Sequence, residues 1–353
     1  MNNKLVLIVD ASNLLIRNML TKFTKVNSNG VNITGVFGFL RSIFMYLREF
    51  YPNEIYIVWD IGRSIKHRKL YPQYKKQRDA KSDQTFLDNF RKQRKILIDL
   101  LKYFPFKEII LPKTEGDMIM AYIAKKEAQN NNKAIIISTD KDFYQLLLYD
   151  NILVFNPRKR KYIELYEIQK EFKINSIYLR PQVLPIIRSI LGDTSDNIFG
   201  VKNLGIKFCE QLLNEVIKDK DFNNIDEFLQ YIKEYVKMNN NKKSFIKKLK
   251  LLLEEDNQKI LKINYELMNL IDIKDIDIST YVQRIDESDI KELRIDLIRN
   301  ILSKLEINTI LTSENVRILY QYLNNYQIKI DNKKDKFIKK NMDELLKEIK
   351  RLL

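Results

Sequence analysis

Five short apolar runs constrain this chain most: KLVLIVD (4–10), EIYIVWD (54–60), FKEIILP (106–112), KAIIISTD (133–140) and NILVFNP (151–157). They are rich in Ile and Val, and apolar residues follow one another without strict alternation. A run with no polar face has nothing to turn to water, which is the pattern of a strand covered on both sides in a parallel sheet. Parallel strands need long crossovers, and amphipathic stretches such as VFGFLRSIFMYLREF (36–50) and GDMIMAYIAKKEAQ (116–129) supply them as helices. We therefore expect an α/β domain over about 1–180, a central mostly parallel sheet flanked by helices. From 181 strand patterns fade. A helical region to about 290 follows, then a helical extension over 291–353 that ends in KDKFIKKNMDELLKEIKRLL (334–353). No apolar run approaches the ~18–20 residues of a membrane span. The N-terminus, MNNKLVLIVDASN, meets an acid too early for a secretory signal. These two features lead us to expect a cytoplasmic protein with no membrane partner.

Acidic residues gather where the strands end. Asp10, Asp60 and Asp140 close three of the runs, Glu115 and Asp117 follow a fourth, and Asp142 stands two beyond Asp140. The carboxyl ends of parallel strands line one edge, so these six side chains should converge along one rim. An aspartate after a strand is often only the N-cap of the next helix, and any one of these could be that. Taken together, so many like charges would repel unless cations lay among them. Asp193 and Asp196 in LGDTSDN are three apart, a spacing that faces both one way on a helix or turn. Eight carboxylates exceed what one small cation uses, and two ions would employ them well. A single cysteine, Cys209, and a single histidine, His67, rule out a disulfide and any multi-histidine or thiolate zinc site. The ions must be held by oxygen, as Mg2+, Mn2+ and Ca2+ are.

The chain carries 62 Lys+Arg against 46 Asp+Glu, a formal net charge of +16. On charge alone, a polyanionic partner and a Lys/Asn/Ile-rich codon bias are equal readings. Distribution favours the partner: between Ile61 and Lys102 there are 13 Lys/Arg and four acids. Directly after Asp196, GVKNLGIK places Gly200 and Gly205 around a short turn, with Lys202 and Lys207 beside it. Glycines let backbone amides approach an anion, although such a turn alone is also an ordinary helix–helix connection. Acids paired with a basic segment point to phosphodiester chemistry, nuclease or polymerase, and the strand-edge geometry favours nuclease.

At this point the motifs resemble a known family. GDTSDNIFGVKNLGIK (192–207) resembles the signature of the 5′ nuclease (flap endonuclease) superfamily, G-D-x-S-D-N-x-x-G-V-x-G-I-G-x-K. IVDASNLLIR (8–17) resembles that family's first motif, and NGVNITGVFGFL (29–40) a following stretch of the 5′ nuclease domain of DNA polymerase I. WDIGRSIKHRKLYPQYKKQR (59–78), LPKTEGDM (111–118), ISTDKDFYQLL (137–147) and YELMNLIDI (265–273) fall in the family's order, so the resemblance spans about 4–275. It implies a PIN-like 5′ nuclease fold with a basic helical arch at about 63–100 and a helix–three-turn–helix at about 190–215. It implies a first metal site from Asp10, Asp60, Glu115, Asp117 and Asp140, and a second from Asp142, Asp193 and Asp196, holding two Mg2+ for which Mn2+ substitutes. Lys75 stands where the family has a lysine on the scissile phosphate, with Arg78 as its basic companion. Together with Asp10, Asp117, Asp142 and Asp196 they make up the implied catalytic set.

Tyr74 corresponds to an aromatic that stacks on a base near the 5′ end. Asn13, Arg17, Arg68, Lys76, Gly200, Lys202, Gly205 and Lys207 fall at implied nucleic-acid contacts, and the hairpin of this family often holds K+. The implied function is 5′→3′ exonuclease and flap endonuclease action in DNA replication or repair, extending to RNA primers in RNA–DNA hybrids. The implied state is a monomer, with the C-terminal helices docked on its own core or on a replication protein. Three positions depart from the pattern: Met118 replaces a second aspartate, Asn203 replaces a hairpin glycine, and His67 with Arg68 stands where relatives carry arginine. For His67 the plain reading is a surface residue. Two other readings stay open, a non-catalytic binder of DNA structures on this scaffold and a PIN-like RNA-processing nuclease.

Overall fold

The computed structural model describes residues 3–62, 64–76, 83–239, 243–273, 275–288 and 291–327. Arg78, residues 77–82 of the expected arch, and 328–353 of the C-terminal extension lie outside the described residues. All five apolar runs are strands: β1 (Leu5–Asp10), β2 (Glu54–Trp59), β3 (Lys107–Ile110), β4 (Lys133–Ile137) and β5 (Ile152–Asn156). They form one sheet in the order β3-β2-β1-β4-β5, all parallel, and a two-residue strand β6 (Lys161–Tyr162) adds antiparallel to β5 at the edge.

The unbroken apolar runs are explained by which residues face which side. Val6, Ile8, Tyr56, Val58, Ala134 and Ile136 point into one core, and Leu7, Val9, Ile55, Ile57, Trp59, Ile135 and Ile137 into another. Successive side chains on a strand face opposite ways, so covering both faces demands apolar residues at both parities. The second core is roofed by α1 (Ala11–Met19), α2 (Thr34–Phe50) and residues of Gln84–Leu101, with Leu302 and Leu319 of the C-terminal helices joining it. The first core is covered by the helix Gly116–Gln129 and continues into the helices beyond residue 181, through Ile187, Phe208, Phe228, Leu261 and Ile278.

Strand order reverses between β1 and β4, because β2 and β3 were laid to one side of β1 and β4 to the other. Such a reversal opens a crevice at the carboxyl edge of an open sheet. At the opposite end Lys107 Nζ lies 2.9 Å from Glu54 and 2.9 Å from Asp286, and Tyr56 OH donates to Asp286 at 2.5 Å. That buried network fastens the helix Ile276–Glu287 to β2 and β3. Among the described residues no helix is long and apolar enough to cross a membrane.

The segment after residue 181 holds one feature that strand patterning did not reveal. The helix Leu184–Leu191 ends at Gly192, whose φ of +74° suits glycine, and a ribbon of two two-residue strands follows, Gly192–Asp193 against Ile198–Phe199. Two residues per strand are too few to leave a periodic signal. A turn of 3₁₀ helix, Thr194–Asp196, spans its tip.

Candidate active site at the carboxyl edge of the sheet

Each acid is placed by the local backbone before it is placed by the fold. Asp10 caps α1: its Oδ1 accepts the Asn13 N–H at 2.9 Å, while Oδ2 accepts the Ser138 hydroxyl at 3.0 Å from the end of β4. Asp60 follows β2, and its N–H donates to Ser12 Oγ at 3.1 Å. Gly116 opens its helix hard against this residue, since a Cβ there would stand 3.3 Å from Asp60 Cβ. Asp140 caps the 3₁₀ helix Lys141–Leu148 by accepting the Asp142 N–H at 2.9 Å. Asp193 accepts both the N–H and the hydroxyl of Ser195, at 2.8 and 2.7 Å. The capping reading is thus correct for Asp10, Asp140 and Asp193.

The charges feel one another. Burial pushes the Asp10 carboxyl up to about 7, and Asp140 and Asp60 add to the rise. Burial likewise lifts Asp142 to about 7, with Asp140, Asp193 and Asp196 adding to it against the pull of Arg188. Asp117 is raised well above the usual range by burial and then by Glu115, Asp140 and Asp60. All eight expected acids therefore belong to one electrostatic set. Among the described residues no three of them converge tightly enough to form a finished ligand cluster. Two cations, Lys75 and Arg188, are paired with acids of the set. Partly buried oxygen donors that suppress one another's ionisation fit a hard divalent cation, which would reverse that suppression.

The first intruding cation is Lys75. Its Nζ is paired with Glu115 Oε2 and lies 3.7 Å from Asp196 Oδ2. Glu115 is 2% exposed and also accepts the Ser64 N–H at 3.3 Å. Burial would raise its pKa, but the Lys75 charge wins and holds it below the usual range. Burial would likewise neutralise Lys75, but Asp117, Glu115 and Asp196 hold its pKa above the usual lysine value, so Nζ stays charged. Lys75 has a left-handed backbone, φ +55°, and its N–H donates to the Asp196 carbonyl at 2.9 Å. Asn197, also left-handed at φ +60°, donates its side-chain amide to the Gln73 carbonyl at 2.8 Å. Residues 73–75 are thereby latched to the acidic turn.

The second cation, Arg188, was not anticipated. Its Nη2 lies 2.7 Å from Asp142 Oδ1 and 2.8 Å from Asp193 Oδ2. The signal available was one basic residue within the otherwise apolar helix LPIIRSIL, five positions before Asp193.

Several residues expected at nucleic-acid contacts sit inside the protein or are tied within it. Tyr74 is 3% exposed, with its hydroxyl 3.3 Å from Glu115 and its ring edge-on to His67, so neither ring face is open to a base. His67 is no surface residue: it is buried, while the adjacent Arg68 is exposed. Asn13 and Arg17 are turned to internal ties, Asn13 to Thr139 at 2.8 Å and Arg17 to the Pro157 carbonyl at 3.1 Å. The α-carbon of Gly200 packs against the backbone of Ile190 and Leu191. Lys76, Lys202, Gly205 and Lys207 are exposed, and Asn203 takes the left-handed backbone (φ +67°) that its glycine-like position asks for. Met118 is buried in the core, and its N–H donates to Asp117 Oδ1 at 2.7 Å.

Comparison with known proteins identifies the family. Residues 5–173 match the family model described as 5′-3′ exonuclease, N-terminal resolvase-like domain. A 5′-3′ exonuclease of Aquifex aeolicus is 27% identical over 310 residues, covering 87% of this chain and 94% of the relative. One from Buchnera aphidicola is 31% identical over 227 residues, covering 64% and 75% respectively. Among solved structures, the bacteriophage T5 D15 flap endonuclease in a complex with DNA and metal ions superposes with a TM-score of 0.59 at 20% identity, covering 86% of this chain and all of that one. The last likeness speaks for the fold, a mostly parallel sheet flanked by helices. With the sequence relatives and the acidic crevice, it leads to one conclusion: the chain belongs to the 5′-3′ exonuclease family and is a nuclease, a hydrolase of phosphodiester bonds.

Proposed function

We propose that the protein is a structure-specific 5′ nuclease, cutting DNA at 5′ flaps and free 5′ ends, and RNA primers in RNA–DNA hybrids, by two-metal hydrolysis. The observation that carries this reading is the set of six acids at one sheet edge joined by Asp193 and Asp196 of the ribbon, three of the eight with pKa values raised by burial and by one another. Divalent ions held there, Mg2+ or in its place Mn2+, would activate a water and stabilise the leaving oxygen. Asp10, Asp60, Glu115, Asp117 and Asp140 would hold one ion, and Asp142, Asp193 and Asp196 the other.

Lys75 supplies a fixed positive charge beside Glu115 and Asp196, where a scissile phosphate gathers negative charge in the transition state. Arg78, its companion in this reading, lies outside the described residues. The division of labour follows the chain: residues 1–180 supply six of the acids and Lys75, 181–290 add Asp193 and Asp196 and grip duplex backbone, and 291–353 extend the fold. Exposed Lys202 and Lys207 flank the hairpin that would meet phosphates, with K+ as an added ligand there.

The test is cleavage of labelled 5′ flap, nicked, gapped, RNA–DNA and single-stranded RNA substrates, with and without chelator. Flap cleavage that stops in chelator is the expected result. Asp196→Asn should lower turnover by at least about 100-fold, the scale of a lost transition-state charge partner, while DNA binding is retained. Wild-type turnover by Asp196→Asn in Mg2+ would refute the assignment.

A further inference from the structure

Arg188 is held in an arrangement that arginine seldom adopts. It lies on the helix Leu184–Leu191, where Leu184, Ile186, Ile187 and Ile190 are all buried in the core. Its side chain is 15% exposed and its guanidinium lies over the Phe172 ring, 5.5 Å from Cζ to the centroid. Arginine usually meets a carboxylate through two parallel N–H bonds. Here one nitrogen is shared by two carboxylates from separate segments, Asp142 after β4 and Asp193 on the ribbon. The Nε, also buried, finds no acceptor among the described residues. A planar fork that uses one prong to bridge two acids is standing where a small spherical cation would stand.

We propose that Arg188 is the resident counter-ion of the Asp142–Asp193 half of the site: its guanidinium holds these two carboxylates together while no divalent ion is there and withdraws when one binds. The inference rests on the reading of these acids as divalent-ion ligands. It follows from charge and space. Two half-buried carboxylates brought together by the fold need a cation between them, and two cations cannot share that space. The guanidinium is well suited to leaving, because an arginine is weakly hydrated and a long stem lets its head move while the base stays in the core. Arg188 is thus a positioning residue that makes the metal-free fold stable and weakens metal uptake by the same interaction.

The test uses the full chain with Arg188→Met and Arg188→Lys, measuring Mn2+ binding from the paramagnetic resonance of free Mn2+ and thermal melting in chelator and in Mn2+. Arg188→Met should bind Mn2+ about tenfold or more tightly than wild type at its weaker site, on the scale set by breaking a buried ion pair. It should melt several degrees below wild type in chelator, and Mn2+ should close that gap. Arg188→Lys keeps the charge but loses the planar head over Phe172, so its affinity should lie between the two. If Arg188→Met folds only when Mn2+ is present, the proposal stands. If it folds in neither condition, Arg188→Lys decides, tighter binding supporting the proposal and equal or weaker binding overturning it. Equal Mn2+ affinity in wild type and both variants overturns the role of Arg188 alone. A wild type that takes up no Mn2+ overturns the metal reading itself, so the two failures are distinct.

Discussion

Gly200→Ala separates a glycine that packs from a glycine that binds. A Cβ built on Gly200 meets the Ile190 and Leu191 carbonyl oxygens at 2.4 Å, where Cβ contacts closer than 3.0 Å essentially do not occur. Both obstacles are backbone, at the end of the helix Leu184–Leu191, and cannot swing aside as a side chain would. The opening falls on the Val201 N–H bond to the Ile190 carbonyl, now 2.8 Å, and on the ribbon that carries Asp193. Overpacking of this kind costs about 1–3 kcal/mol. Reduced freedom of the unfolded chain returns about 0.4–1 kcal/mol. The net loss is about 1–2 kcal/mol, or a fall of about 1–3 °C in Tm for a chain of this size. Gly205 is the control, since its added Cβ meets nothing within 4 Å, and Gly205→Ala should stay within about 0.5 kcal/mol of wild type. Melting curves and flap-cleavage rates of the two variants side by side are the assay. Gly200→Ala should lose both stability and turnover, because Asp193 moves with the ribbon. A Gly200→Ala protein with wild-type melting and turnover, or equal losses in both variants, would refute the packing argument.

Three further outcomes can be checked directly. Lys75→Met leaves Glu115 buried without its cation and should cost about 3 kcal/mol in denaturant unfolding, with turnover falling more than DNA affinity. In chelator, Asp10 and Asp142 favour the protonated form in the fold, so metal-free stability should fall as pH rises from about 4 through 7, and Mg2+ should restore it; a flat profile in melting would contradict this. Asp286 behaves oppositely. Burial raises its pKa, but hydrogen bonds from Lys126 and Tyr56 and the Lys107 charge bring it below the usual value, so its stabilisation is present above about pH 4 and lost on acidification. Denaturation midpoints of wild type and Asp286→Asn should therefore differ most near neutral pH and converge towards pH 3.

What could be read in advance divides along a physical line. The strands were legible because a sheet covered on both faces writes itself as Ile/Val runs, and the acids because they end those runs. Asp193 and Asp196 stood out in the sequence by spacing and motif. Arg188 was not, because one arginine in LPIIRSIL looks the same whether it faces solvent or a carboxylate pair. Tyr74 and His67 were misplaced for a related reason: a basic segment reads as surface, yet residues 64, 67, 74 and 75 fold inward to surround Glu115. Burial of polar side chains depends on tertiary partners distant in sequence, and local pattern carries no record of them.

The tie between residues 73–75 and 196–197 has a mechanical meaning. Lys75 and Asp196 are joined through main-chain atoms, so neither can be displaced without tugging the other. In the proposed reaction, a strand end that pressed on the lysine would also reorient the carboxylate behind it. Capture of a terminus and alignment of the reactive groups would then register as a single event, and a poorly seated strand would leave both out of true.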